Sequence, residues 1–291
     1  MVSISLIMRN LNEVTVLKDT LAILDRQTVP FEFIVIDSGS TDGSKETLEA
    51  KKPAHMHCIT PAEYIPGRVM NWGANAASGE VLVYLNANCV PCSEDWLENL
   101  VRVFEDKEVA AAYGRQIARS DACPLMAADY RRAFSDREET QWSNFFSMPN
   151  SALRRTVWAG RGFREDLYYS EDEDWATWAR RAGHRVAYVP NAVVLHSRNY
   201  SLSQLLARRC GETRDHILIH DLRLFNLQTA LIPLRLIRQI LRDVYDCARM
   251  GEWRWIFFSP FYRSTEWYGR LKGLYLGPGR SGVSRQPRLD R

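Results

Sequence analysis

The chain has 291 residues, 46% apolar and 25% charged, enough for one full hydrophobic core plus an appendage and unlike a disordered or fibrous chain. Its formal charge of +3 hides a division: residues 201–291 carry 16 Lys and Arg against 8 Asp and Glu, which leaves the first 200 residues at −5. No run approaches the ~20 apolar residues of a membrane-spanning helix, and the six scattered cysteines fit reduced thiols better than a disulfide framework.

The first 115 residues alternate strand and helix signals. Ser3–Met8 is an apolar run, followed by an amphipathic stretch from Glu13 to Gln27. Phe31–Asp37 is a β-branched strand ending in an acid, and SGSTDGS supplies turn chemistry and helix-capping side chains. Met56–Ile59 reads as a short strand, Arg68–Gly79 as a small-residue helix, and Val81–Leu85 as a strand apolar on both faces. Such strands separated by helices predict an α/β fold with a parallel sheet covered on both sides. Ligand sites then lie at the carboxyl ends of the strands, where Asp37, Asn86 and Asn88 stand.

Further along, Ala152–Trp158 reads as a short helix and Glu171–Ala182 as a longer one stopped by Gly183. Arg185–Val189 and Val193–Ser197 read as two more short strands. Beyond Ser201 the pattern is helical, basic and aromatic, and Trp253, Phe257, Phe261, Trp267 and Tyr268 interleave with Arg254, Arg263, Arg270 and Lys272. That mixture suits either an interfacial segment over an anionic membrane or a packed helical hairpin. No recognition motif accompanies the charge, so nucleic acid is disfavoured. The N-terminus carries no leader pattern, and the expected location is cytoplasmic, with attachment to the inner membrane face at most. Cys89-Val-Pro-Cys92 has a redox or zinc spacing but lacks a second pair.

Six segments, SLIMRNLNE, FIVIDSGSTDGS, GRVMNWGANAASGEVLVYLNANCVP, SNFFSMPNSALRRTVW, YYSEDEDWATWARRAGHRVAYVP and VVLHSRNYS, resemble in order and spacing the family 2 glycosyltransferases of GT-A fold, with a rhamnosyltransferase-like flavour. The match spans about residues 3–210. It implies a Rossmann-like three-layer sandwich over 1–205, a helical extension over 206–276, and a polar tail over 277–291 expected to be disordered. It also implies an inverting transferase that moves a sugar from a UDP- or TDP-linked donor to a glycan, lipid-linked or small-molecule hydroxyl.

Residue by residue, the resemblance places Asn12, Glu13 and Asp37 around the base and ribose, and Arg68 and Asn71 beside the diphosphate. Asp172, with Glu171, falls on the acceptor side as general base. Asn150, Tyr169 and Trp175 border the acceptor cleft. Asn86 and Asn88 stand where the family places D-x-D, or at least its final Asp, whose carboxylates hold Mg²⁺ or Mn²⁺. Two neutral amides weaken such a site. Three readings stay open: a metal held through diphosphate and His196, with Asn88 as a second ligand; charge neutralisation by Arg68, Arg9 or Arg198 without metal; or a non-catalytic nucleotide-sugar-binding relative that supports a partner enzyme. A dinucleotide oxidoreductase lacks its G-x-G-x-x-G turn.

Overall fold

The structure is a computed structural model that describes residues 2–137, 145–220 and 231–278. The chain divides into two compact units. The first gathers Met1–Arg119, Tyr130–Glu165 and Glu171–His196, and the second gathers Ser120–Asp129, Asp166–Ser170 and Ser197–Arg291.

The first unit is built on a mixed sheet. Strands β1 (Ile4–Asn10), β2 (Glu32–Asp37), β3 (His55–Cys58) and β4 (Val81–Asn86) run parallel, in the spatial order β3-β2-β1-β4. The sheet continues through β7 (Asn150–Arg154), β6 (Val109–Ile117), β8 (Arg185–Leu195) and the two-residue β5 (Val90–Pro91). Strand β7 is antiparallel to both β4 and β6, so the sheet is mixed rather than wholly parallel.

Side chains alternate across this sheet with the period of two that a strand imposes. Leu6, Met8, Val81, Val83 and Leu85 face a core completed by helices α1 (Val14–Leu24) and α4 (Trp96–Val101). Ile7, Leu82 and Tyr84 face the opposite core, completed by α3 (Pro66–Ala76), α6 (Arg155–Gly160) and α7 (Glu171–Arg181). Two buried faces explain why these strands are continuous apolar runs instead of alternating ones. The short α2 (Ser44–Glu49) follows β2.

Two elements differ from the sequence expectation. Residues 150–154 form the central strand β7, with the helix delayed to Arg155. Arg185–Leu195 is one 11-residue strand, and Pro190 falls where the β6–β8 register shifts between Gly114 and Arg115. A shifted register tolerates a residue that cannot donate to the ladder.

The second unit is helical. The N-terminal half of α5 (Pro124–Ala133) joins α8 (Leu202–His220), α9 (Ile232–Met250) and α10 (Trp253–Leu276). The fully buried Arg263 guanidinium uses all five N–H groups: Nε and Nη2 reach Asp243, Nη1 and Nη2 reach Asp129, and Nη1 also reaches Glu266. Arg209 bridges Glu266 to Glu212, and Arg208 adds a second bond to Glu212. Burial opposes the charge on Glu212, yet these two guanidinium groups hold its carboxyl down at about 2. A planar fork of fixed donors suits this shared use better than a lysine would. The tail expected to be disordered lies mostly outside the described residues.

Candidate active site

The parallel register lines up the carboxyl ends of four strands. Arg9 pairs with Asn86 across β1–β4, Asn10 with Asp37 across β1–β2, and Asp37 with Cys58 across β2–β3. A row of polar groups therefore forms along one edge without any loop having to reach it.

At the centre of this row the side chains mostly organise turns. Asp37 is fully buried: Oδ1 accepts from Asn10 Nδ2 (2.8 Å) and Ser40 Oγ (2.6 Å), and Oδ2 accepts from the backbone N–H of Gly39 and Ser40. Both oxygens are spent on the turn after β2. This carboxylate thus forms the turn after β2. Asn12, at φ +53°, ties the first turn to the second, its Oδ1 accepting from Thr41 N–H at 2.8 Å. Asp42 Oδ2 accepts from Val14 N–H and so caps α1.

Beside them lies the N-A-N segment. Asn86 Oδ1 accepts from Arg9 Nη2 at 2.9 Å and Nε at 3.2 Å. The buried Asn88 donates from Nδ2 to Glu13 Oε1 at 2.8 Å. His196 Nδ1 lies 2.8 Å from Gln116 Oε1. Tyr130 Oη stands 3.3 Å from the same nitrogen, and Gln116 Nε2 donates to Ser147 Oγ at 2.8 Å. Among the described residues no three His, Cys, Asp or Glu side chains converge as metal ligands would.

The acidic cluster opening α7 separates into distinct roles. Asp174 is a structural ion pair, with Oδ2 2.6 Å from Arg161 Nη2 and Oδ1 3.6 Å from Arg164 Nη1. Glu171 is buried and Glu173 half-buried. Asp172 is half-buried; Oδ1 accepts from Glu173 N–H at 2.8 Å and Oδ2 from Met148 N–H at 3.2 Å. Among the described residues no cation pairs with it. Burial raises its pKa above the ordinary 3.8, against the two N–H donors and the charge of Arg9, which lower it.

Several residues expected at the site are instead structural. Trp175 is fully enclosed, donating Nε1 to Arg161 O at 2.7 Å, so it offers no ring face to an acceptor. Asn150 is fully buried: Oδ1 accepts from Trp96 Nε1, and Nδ2 donates to the carbonyls of Arg115 and Ala192. Its amide is saturated in the sheet interior and cannot reach an acceptor. Tyr169 belongs to the second unit and packs on α8, where a Cβ at Gly211 would lie 2.1 Å from its ring. Asn71 clamps the segment after α6: Oδ1 accepts from Phe163 N–H and Trp158 Nε1, and Nδ2 donates to Phe163 O. Arg68 Nε pairs with Glu165 at 3.0 Å. Gly67 shares this task, because a Cβ there would meet Arg164 O at 2.0 Å. The start of α3 thus braces residues 163–165.

The Met148 N–H, Gln116 and Tyr130 were not singled out from the sequence. Only tertiary packing brings them to Asp172 and His196, and no local pattern marks them. Arg9 could have been weighted more heavily, because aligning the apolar runs of β1 and β4 already sets it opposite Asn86.

Comparison with known proteins identifies the family. Residues 5–162 match the family described as glycosyl transferase family 2. The O-antigen chain rhamnosyltransferase RfbN of Salmonella typhimurium is 32% identical over 214 residues, 68% of this chain and 67% of its own length. WbaN of Salmonella anatum, also named an O-antigen chain rhamnosyltransferase, is 32% identical over 193 residues, covering 62% of this chain and 60% of that protein. The matched region therefore spans about three fifths to two thirds of those relatives. Among solved structures, the mannosyltransferase PcManGT of Pyrobaculum calidifontis, in complex with GDP-Man and Mn²⁺, superposes with a TM-score of 0.61 at 17% identity, over 94% of this chain and 86% of that one. The chain belongs to glycosyl transferase family 2, a rhamnosyltransferase-like member with the GT-A fold.

Proposed function

We propose that the chain transfers a hexose or deoxyhexose from a nucleoside diphosphate donor to a hydroxyl of a glycan or lipid-linked acceptor, inverting the anomeric carbon. The observation that carries this reading is Asp172, whose carboxyl is held by two backbone N–H groups and left without a cationic partner among the described residues. Such a group keeps its lone pairs and its basicity. Asp174, two residues on, shows the contrast, since its oxygens are committed to arginines.

In the proposed step Asp172 takes the proton of the acceptor hydroxyl as that oxygen bonds to the anomeric carbon. The carbon–oxygen bond to the diphosphate breaks on the opposite face, and the nucleoside diphosphate leaves with the electron pair. A positioned base contributes ~10²–10⁴-fold to such a step. The names of the rhamnosyltransferase relatives support a deoxyhexose donor and a polysaccharide acceptor.

The residues at the D-x-D position do not fit a protein-held Mg²⁺ or Mn²⁺. Such hard ions favour anionic oxygens, whereas here the Asn86 oxygen is taken by a guanidinium and the Asn88 amide nitrogen faces Glu13. No step of the mechanism is routed through a metal. The C-terminal unit supplies the proposed membrane partner through α9. Its Leu234, Ile237, Leu241 and Tyr245 are between 56% and 64% exposed, and they lie beside an exposed row of Arg235, Arg238, Arg242 and Arg249.

The direct test is incubation with UDP-, TDP- and GDP-sugars and a glycan acceptor, followed by NMR of the product. A glycoside of opposite anomeric configuration to the donor is expected. A retained configuration would overturn the mechanism, and donor binding with no transfer over long incubation would favour the non-catalytic reading instead.

A further inference from the structure

The misfit at the N-A-N segment has a counterpart one strand away. We propose that the Arg9 guanidinium, presented by the Asn86 amide, binds the donor diphosphate in place of a protein-held divalent cation. This rests on the nucleoside diphosphate donor proposed above and names the group that neutralises its charge.

Charge bookkeeping makes the substitution self-consistent. Two carboxylates with one divalent ion sum to zero, and two amides with no ion also sum to zero. Replacing aspartate by asparagine at both positions therefore removes the negative charge that a metal would offset. Arg9 then adds +1 to the metal-free pair of amides. With an aspartate at position 86, the bond to Arg9 would be a salt bridge and would cancel that charge. With Asn86 the same two hydrogen bonds, at 2.9 and 3.2 Å, orient the guanidinium and leave its charge for a ligand. A neutral acceptor on Nε and Nη2 also leaves Nη1 for the fork-like contacts that guanidinium groups make with phosphate.

Among the other cations named from the sequence, Arg68 already faces Glu165 at 3.0 Å, so its charge is offset. Arg9 instead stands at the carboxyl edge of β1, where parallel α/β sheets bind their ligands, between Ile36 and Asn86 in register. Its field also reaches Asp172, and so links the donor side to the proposed base.

Calorimetry of UDP, TDP and GDP binding to the intact chain, in EDTA and in Mn²⁺, tests this without any turnover. Wild type is expected to bind at least one of these nucleotides with affinities within about twofold in the two conditions. Arg9→Gln should lose about 10- to 100-fold in EDTA, the range for one charge-assisted contact. Asn86→Asp keeps the guanidinium but neutralises it, so metal-free binding should fall about tenfold and Mn²⁺ should now restore it. This second variant also guards against Arg9→Gln simply failing to fold. Wild-type binding that requires Mn²⁺, or unchanged affinity in both variants, would overturn the assignment of Arg9 while leaving the donor reading standing. Absence of binding by all three nucleotides in both conditions would overturn the donor reading and this inference with it.

Discussion

Asp172 and Asp174 lie two residues apart on one helix and face different environments. Asp174 sits between Arg161 and Arg164, which stabilise its charged form. For Asp172 burial and, to a lesser degree, the neighbouring Glu173 charge work against the ionised form and outweigh two backbone donors and the field of Arg9, so its pKa is raised above 3.8. For a base that must be ionised to act, the sign is clear: kcat/KM falls as pH drops through this raised value. The acid limb of the pH–rate profile should therefore lie above 3.8, and activity unchanged down to that pH would contradict the assignment. The folded state binds this proton more tightly than the unfolded chain does. Asp172 accordingly costs stability at neutral pH, a cost relieved as pH falls through the raised value.

Elements decide how much of this was readable beforehand. Strands β1, β2 and β4 are β-branched runs bounded by turn residues, and they appear where expected. Ala152, Leu153 and Arg154 of β7 are good helix formers by residue type. Antiparallel pairing on both sides, to β4 and β6, overrides that preference. Trp175 suits a sugar-binding platform by residue type, and Asn150 an acceptor cleft by its position before Arg154 and Arg155, yet both are buried. Whether such a side chain faces a cleft or the core depends on packing that no local spacing encodes. The interfacial segment expected from sequence is Trp253–Lys272, where Arg263 turns out to be buried, whereas the exposed apolar and basic face with helical spacing lies on α9. Asp243 is buried against Arg263 and Asp246 is half-buried, so this face presents arginines beside its apolar stripe. Vesicles containing phosphatidylglycerol should co-sediment the protein, and replacing Arg235, Arg238 and Arg242 with Glu should abolish this. Equal binding to phosphatidylcholine vesicles, or none to either, would remove the membrane from the account.

At the scale of the whole molecule, the parallel half of the sheet brings Arg9, Asn86 and Asp37 to one edge by register alone. The opposite core carries α7, whose first turn holds Asp172. The family and the fold follow from the relatives that share this layout. The central claim is that Asp172 removes the acceptor proton. It is tested most directly by Asp172→Asn, with turnover and donor affinity measured on the same preparation. Turnover should fall by ~10²–10⁴-fold with the donor Kd unchanged, because the lost group acts only on the acceptor. Turnover near the wild-type rate would contradict it.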